Sequence, residues 1–227
     1  LVGPPHARLL RAMAANHGSR IASRACRMTT GPAAGTAVDK GYFDLAYYQW
    51  ARELVAGWRA LCEIPAERLP SAEDRGACER LLHAEARLID SGRLEAWLEL
   101  FTDDCGYWLP TDVVGADPAR IVSWEFNDRR RLEERIERLA TGRAFSQVPP
   151  TRTVHLYTNM EMLTDGSDGM HVLCSFMIQT NLNGRVSQRA GWNGYVLRRT
   201  PDGWRIRLKR INLFDADLPQ ENNSFTL

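Results

Sequence analysis

The chain has 227 residues, 44% of them apolar, and a formal charge of +1 from 29 basic and 28 acidic residues. That length and composition suit a globular chain with a sizeable core. A balance so close to zero argues against binding nucleic acid or an anionic membrane by bulk charge. No apolar run reaches the roughly 18 residues of a membrane-spanning helix.

The charge is unevenly spread. Residues 1–40 carry six basic residues and one acid (+5), while residues 41–227 carry 23 basic and 27 acidic ones (−4). The first segment is rich in Ala, Gly and Arg and has no apolar period, so it cannot bury enough surface to order itself. It is expected to be a mis-assigned start, with translation beginning at Met28. A disordered basic tail and a transit peptide are the alternatives. Residues 1–40 are left out of the fold argument. The five cysteines, Cys26, Cys62, Cys78, Cys105 and Cys174, are odd in number and contain no C-x-x-C pair. They fit neither a disulfide framework nor a zinc site, and predict buried thiols in a reduced, cytoplasmic chain.

From Tyr42 the apolar residues take a helical period. Leu45, Tyr48, Trp50, Leu54, Val55, Trp58 and Leu61 predict a helix to about residue 62, which the stretch with Pro65 and Pro70 ends. Ser71, with an acid three residues on at Asp74, reads as the N-cap of a second helix. Cys78, Leu81, Leu82, Ala86 and Ile89 form its inner face. Ser91-Gly92 interrupts it. A short helix follows, with Leu94, Trp97, Leu98 and Phe101 as one stripe. Cys105 to Pro110 is a predicted strand, residues 111–120 a loop, and Ile121 to Phe126 extended. Asp128 caps a third long helix facing inward through Leu132, Ile136 and Leu139. Its outer face interleaves Arg129, Arg130, Arg131, Arg135 and Arg138 with Glu133, Glu134 and Glu137, the pattern of a solvated face or a subunit contact.

From Thr151 the period is close to two. Val154 to Met162 and Met170 to Ile178 alternate, and Asn183-Gly184 marks a hairpin. A strand follows to about Arg198, and Pro201-Asp202-Gly203 turns the chain once more. Trp204, Ile206 and Leu208 alternate, then the phase shifts to Ile211 and Leu213, which predicts a bulge near Lys209 to Arg210. Helices first and long strands last predict an α+β fold, a curved antiparallel sheet wrapped around helices.

The chain contains no G-x-G-x-x-G or P-loop, no G-x-S-x-G and no H-E-x-x-H, so nothing points to a bound nucleotide, that hydrolase type or a zinc protease. His155 and His171, on adjacent predicted strands, are the residues for a metal site if one exists. Hydrogen-bonded structural histidines are the commoner reading. For acid–base chemistry the candidates are His83, Asp104, Tyr107, His155 and Tyr157. Residue types alone do not make them converge.

Several strings carry a resemblance. They are EARLIDSGRLEAWLELFTDDCGYWLP (Glu85 to Pro110), RLEERIERLATGRAFSQVPPTRTVHLYTNM (Arg131 to Met160), LRRTPDGWRIRLKRINLFDADLP (Leu197 to Pro219) and ENNSFTL (Glu221 to Leu227). The specific elements are Asp103-Asp104-x-x-Tyr107-Trp108-x-Pro110 and Gly142-Arg143-Ala144 before Pro149-Pro150-Thr151-Arg152-Thr153. Residues 71–227 resemble the small, or beta, subunit of bacterial aromatic-ring-hydroxylating (Rieske-type) dioxygenases. The resemblance implies a cone-shaped fold similar to nuclear transport factor 2 and scytalone dehydratase. It implies a large (alpha) subunit carrying a Rieske 2Fe-2S cluster and a mononuclear Fe(II), supplied from NADH through a reductase. It also implies three copies of each subunit in a hexamer, self-association of this chain as a trimer, and no catalytic, cofactor-binding or metal residue in this chain. The work would be assembly of an enzyme that dihydroxylates an aromatic compound in its catabolism. Residues 41–70 depart from the family as an added aromatic helix and proline linker. Their Tyr42, Phe43, Tyr47, Tyr48, Trp50 and Trp58 predict packing on this chain or a neighbour. A stand-alone dehydratase or isomerase using His and carboxylates in the cone is the alternative; an open polar pocket with His155 or Asp104 would favour it, and a cone filled by side chains the subunit reading.

Overall fold

Three local signals start the three long helices in the computed structural model, which describes residues 43–111 and 117–219. Expectations placed on residues 1–40 and 221–227 lie outside the described residues. Helix α1 (Leu45–Arg59) begins where the Asp44 carboxylate accepts from the Tyr47 amide at 2.8 Å. Helix α2 (Ala72–Asp90) begins where Ser71 Oγ accepts from the Asp74 amide at 3.1 Å. Helix α4 (Arg129–Ala140) is capped by Asp128, whose carboxylate accepts from the Arg131 amide at 2.9 Å. Each cap satisfies an amide that the first turn leaves without a helical partner.

Between α2 and α4 lie the short helix α3 (Leu94–Leu98) and strands β1 (Phe101–Pro110) and β2 (Ser123–Asn127). The predicted stripe through Phe101 is corrected here: α3 ends at Leu98 and Phe101 opens β1. Phe101 still meets Trp97, with ring centroids 4.8 Å apart, so packing rather than helix continuation produced that spacing. Then come β3 (Arg152–Thr164), β4 (Gly169–Leu182), β5 (Arg185–Thr200) and β6 (Gly203–Leu213). The six strands form one sheet in the order β2-β1-β6-β5-β4-β3, antiparallel except for the β1–β6 pair. The hairpin at Asn183-Gly184 takes positive φ at both residues, 54° and 83°, as this dipeptide favours.

The fold is α+β, a curved sheet around helices, with both sheet faces covered along part of their length. The inner face packs Met170, Val172, Cys174, Phe176, Tyr195 and Leu197 against Cys78, Leu82 and Ile89 of α2, with Trp97, Leu132 and Ile136 from α3 and α4. The outer face packs Trp108, Leu163, Val196 and Leu208 against Tyr47, Trp50, Ala51, Leu54, Val55 and Trp58 of α1. The aromatic helix therefore docks on its own sheet. Two glycines make room for it. A Cβ on Gly194 would lie 2.3 Å from Trp58, and one on Gly106 would lie 2.3 Å from the Tyr47 hydroxyl.

The covered outer face explains a second correction. The register shift in β6 lies between Ile206 and Leu208, opposite Val196 and Leu197, rather than at Lys209 to Arg210. Leu208 belongs to the outer cluster and Ile206 to the inner one. With apolar residues on both faces, alternation no longer reports the strand's phase.

His171 on β4 lies under α1 and its Nδ1 accepts a long 3.4 Å bond from Trp58 Nε1. Burial pushes its pKa down to about 4, with Arg68 adding to the effect and Asp165 opposing it. A histidine depressed in the folded state contributes its full stability above its unfolded pKa, near 6.5. That contribution is lost as pH falls toward 4, because the unfolded chain binds the proton first. The expected loss between pH 6.5 and 4 is about 3 kcal/mol, and a His171→Gln variant is expected to flatten that part of a urea-denaturation profile taken against pH.

Candidate functional site

The interior of the cone holds a charged network rather than an open pocket. Cys78, Leu82, Glu85 and Ile89 are the buried residues of α2. Their 4-3-4 spacing is one helical stripe, so Glu85 is carried inward with its apolar neighbours. Facing it are Tyr107 on β1, Tyr157 on β3, Asn193 and Tyr195 on β5, and Lys209 on β6. One Glu85 oxygen accepts from Lys209 Nζ at 2.9 Å. The other accepts from the Tyr195 hydroxyl at 2.9 Å and the Tyr157 hydroxyl at 3.3 Å. Asn193 Nδ2 donates to the Tyr195 oxygen at 3.3 Å. The Lys209 ammonium lies 5.7 Å from the Tyr107 ring centroid and 5.8 Å from that of Tyr195, within cation–π range.

Glu85, Lys209 and Tyr195 are each 0% exposed. Burial raises the pKa of Tyr157 and Tyr195 well above the ordinary phenol value, and the Glu85 charge raises both further. Both phenols are therefore held as donors. Burial also pushes Cys174 up to about 12, with Glu85 adding to it. A buried ion pair is maintained only when its remaining lone pairs and protons find partners, and the two tyrosines supply donors to the carboxylate's second oxygen.

The candidate acid–base residues do not converge. His83 is exposed on α2. Tyr107 is buried in the inner core with its ring edge-on to Trp97 at 5.9 Å. Tyr157 donates to Glu85. His155 lies on the inner side of β3, its Nδ1 2.6 Å from Asp90. Asp90 also accepts from the His155 amide at 3.0 Å and the Thr153 hydroxyl at 2.8 Å. Burial would raise the Asp90 pKa, but the hydrogen bonds from His155 and Thr153 outweigh it and the net shift is downward.

Asp104 is on the outer face of β1. It takes two bonds from Arg198, at 3.0 and 2.9 Å, and lies 3.3 Å from Arg207 Nε. Burial is again outweighed by the Arg198 hydrogen bonds and the two guanidinium charges, so its pKa is lowered. Arg207 in turn stacks on Trp50 of α1 at 4.6 Å. Asp104 and His155 thus lie on opposite faces and four strand spacings apart, or about 19 Å. The open polar pocket that a stand-alone dehydratase would use is not what these residues form.

His155 and His171 also fail to meet, since His155 faces α2 and His171 faces α1. Among the described residues no group of three His, Cys, Asp or Glu side chains is placed to hold a metal. Of the described cysteines, Cys62 is exposed, and Cys78, Cys105 and Cys174 are buried thiols that burial pushes up to about 12. On α4 the charges pair within the chain: Arg129 with Glu133 at 3.1 Å, Arg130 with Glu134, and Arg135 with Glu125.

Glu85 and Lys209 were not among the residues singled out by sequence. A signal existed for each. Glu85 interrupts an apolar 4-3-4 stripe, and Lys209 is one of two lysines among 27 arginines. An ammonium with three donors fits a small buried acceptor set, where a guanidinium would bring five.

Comparison with known proteins bears on this site. Residues 84–220 match the family model described as the ring hydroxylating beta subunit. The chain is 34% identical over 176 residues to the beta subunit of 3-phenylpropionate/cinnamic acid dioxygenase from Photorhabdus laumondii, covering 71% of this chain and 96% of that protein. It is 35% identical over 156 residues to the small oxygenase component of the p-cumate 2,3-dioxygenase system of Pseudomonas putida, covering 64% and 86%. In fold it is similar to the solved beta subunit of benzoate 1,2-dioxygenase from Burkholderia mallei, with a TM-score of 0.55, 24% identity and coverage of 73% and 100%. It is also similar to a naphthalene 1,2-dioxygenase structure, with a TM-score of 0.61, 18% identity and coverage of 70% and 88%. The matched span holds Glu85, its two tyrosines and Lys209, and begins after α1. This chain belongs to the ring hydroxylating beta subunit family.

Proposed function

We propose that this chain is the non-catalytic small subunit of a dioxygenase that dihydroxylates an aromatic ring, and that its work is assembly. The observation that carries this reading is the filled cone. The family's fold is kept, but its interior is closed by Glu85, Lys209 and two tyrosines whose polar groups bind one another. A general base must reach a substrate proton, and this carboxylate is fully buried with donors on both oxygens. No catalytic, cofactor or metal residue is assigned to the chain.

The partner is a large subunit holding the Rieske 2Fe-2S cluster and the mononuclear Fe(II), supplied with electrons from NADH through a reductase. The assembly has three copies of each subunit, with the small subunits associated as a trimer, in the cytoplasm. Binding only the folded state, the large subunit stabilises this chain by mass action, and is stabilised in return. Residues 71–227 are the family's unit, and 41–70 an added strap across the sheet. The substrate class is an aromatic carboxylate. Two relatives at 34–35% identity are, by name, components of dioxygenases for p-cumate and for 3-phenylpropionate or cinnamate.

The test is co-expression of the full chain with a Rieske-type large subunit from the same genome. A complex of equal stoichiometry on size exclusion with light scattering is expected, its iron absent from this chain purified alone. A chain that elutes by itself and leaves the large subunit free would overturn the assembly role.

A further inference from the structure

We propose that the open groove between the end of α1 and the interrupted stretch of β3 binds a small ring carboxylate that carries adjacent hydroxyl groups. This rests on the subunit reading above, in which the assembled enzyme adds two hydroxyls to an aromatic carboxylate. It gives this chain a site that tells such a product from its substrate.

Two irregularities make the groove. Helix α1 ends at Arg59 and the chain leaves through the 61–70 connection, while the sheet beneath runs on. In β3, Asn159 and Met160 together stand opposite Cys174 alone, and Asn159 takes φ 51°. A bulge of two residues against one bends its strand and re-aims the side chains on it. The space left is about 750 Å³, within the ~300–1,000 Å³ of small-molecule sites.

The strand register builds the apolar wall. Leu173 lies between Glu161 and Gly194, and Ser175 between Thr158 and Trp192. Gly194 leaves room for the Trp58 ring, whose centroid is 6.4 Å from that of Trp192 at an interplanar angle of 82°. His171 holds the Trp58 indole by accepting from its Nε1 at 3.4 Å. Two indoles at right angles form a corner that suits a flat or puckered ring.

The polar groups select the ligand. Arg59 lines the groove from α1, Glu161 and Asn159 from β3, and Ser175 from β4. Asn159 Nδ2 donates to Ser175 Oγ at 3.4 Å, so amide and hydroxyl stay together at the bulge. Arg59 and Glu161 are both exposed, and the Glu161 carboxylate has no hydrogen-bond or ion-pair partner among the described residues. A guanidinium matches a carboxylate through two parallel bonds. A carboxylate only accepts, so Glu161 calls for donors, and two adjacent hydroxyls supply one to each oxygen. A ring acid without hydroxyls would strip water from Glu161 and give nothing back. A site made for hydroxyl donors rejects the analogue that lacks them.

The experiment is calorimetric titration of the full chain, purified alone, with 3,4-dihydroxybenzoate, benzoate and catechol. Saturable binding of 3,4-dihydroxybenzoate at one site per chain is expected, with a Kd below about 1 mM. Benzoate, which lacks the hydroxyls, and catechol, which lacks the carboxylate, are each expected to bind at least about tenfold more weakly. Glu161→Gln and Arg59→Gln alter exposed side chains and leave the core untouched. Each should weaken 3,4-dihydroxybenzoate about tenfold, the first closing its gap from benzoate and the second its gap from catechol. No saturable binding, or benzoate binding as tightly as 3,4-dihydroxybenzoate, would overturn the proposal. So would either variant at wild-type affinity, which would put the binding elsewhere. Phenylalanine binding more tightly than 3,4-dihydroxybenzoate would also overturn it, by giving Glu161 an ammonium as its partner. Failure of the subunit reading shows in a different measurement, the absence of a complex with the large subunit, which this titration does not contain.

Discussion

Lys209→Met is expected to destabilise the folded chain by about 3–5 kcal/mol, because it leaves the Glu85 carboxylate buried without its cation. Glu85→Ala is expected to cost a similar amount, since it strands the ammonium and removes the acceptor of two buried phenols. The paired change Glu85→Gln with Lys209→Met should be far milder. The amide oxygen still accepts from Tyr195 and Tyr157, and methionine fills the lysine stem's volume without a charge to solvate. Replacing a whole buried ion pair is often neutral, whereas halving one is not. Urea denaturation of the proteins in the Lys209→Met and Glu85→Gln cycle would therefore give a coupling of at least about 2 kcal/mol. Additive single effects would show that the two groups do not depend on each other. The paired variant also separates structure from chemistry. Assembled with its large subunit it is expected to turn over substrate at the wild-type rate. A tenfold fall in an intact complex would give the network a part in the reaction.

Gly194→Val is expected to cost about 3–4 kcal/mol, close to the about 3–5 kcal/mol for Trp58→Ala. A Cβ at residue 194 would lie 2.3 Å from Trp58 Cζ3 and 2.6 Å from Cε3, so the indole must leave its site. Both substitutions release the same contact, so the double variant should be no worse than the worse single one. The readout is limited proteolysis in the 61–70 connection together with thermal melting, since an undocked α1 frees that connection. Gly194→Val at wild-type stability, with the connection still protected, would show that the ring does not fill this socket. Release of α1 would also bare Trp108, Leu163, Val196 and Leu208, an apolar patch beside Asp104, Arg198 and Arg207. Aggregation of the chain alone should follow.

Much of this molecule is legible in its residues taken in order. Ser71 and Asp128 announce two of the three long helices because a cap is a contact over three residues, and the apolar period from Tyr42 announces the other, whose Asp44 cap only the structure showed. Asn183-Gly184 announces its hairpin because few residues tolerate φ > 0. Long alternation after Thr151 determines the strands, and helices preceding a meander determine the α+β class. The aromatic content of residues 42–58 determines that this helix must be covered. These signals are local, and local geometry is what a short stretch of chain controls.

What α1 covers, and what Glu85 meets, were decided only in three dimensions. Glu85 and Lys209 are 124 residues apart, and they meet only once α2 sits on the inner face and β6 has shifted its register beside Arg207. Periodicity could not place Lys209 inside, because Leu208 beside it is buried by α1 on the other face. Asp104 and His155 looked equally suited to acid–base chemistry as residue types. Their separation follows from strand order and from the strict alternation of faces, which one register shift reverses. The physical reason is common to all three. A residue's identity sets what it can bond, while the sheet's register and the docking of α1 set which partners are within reach.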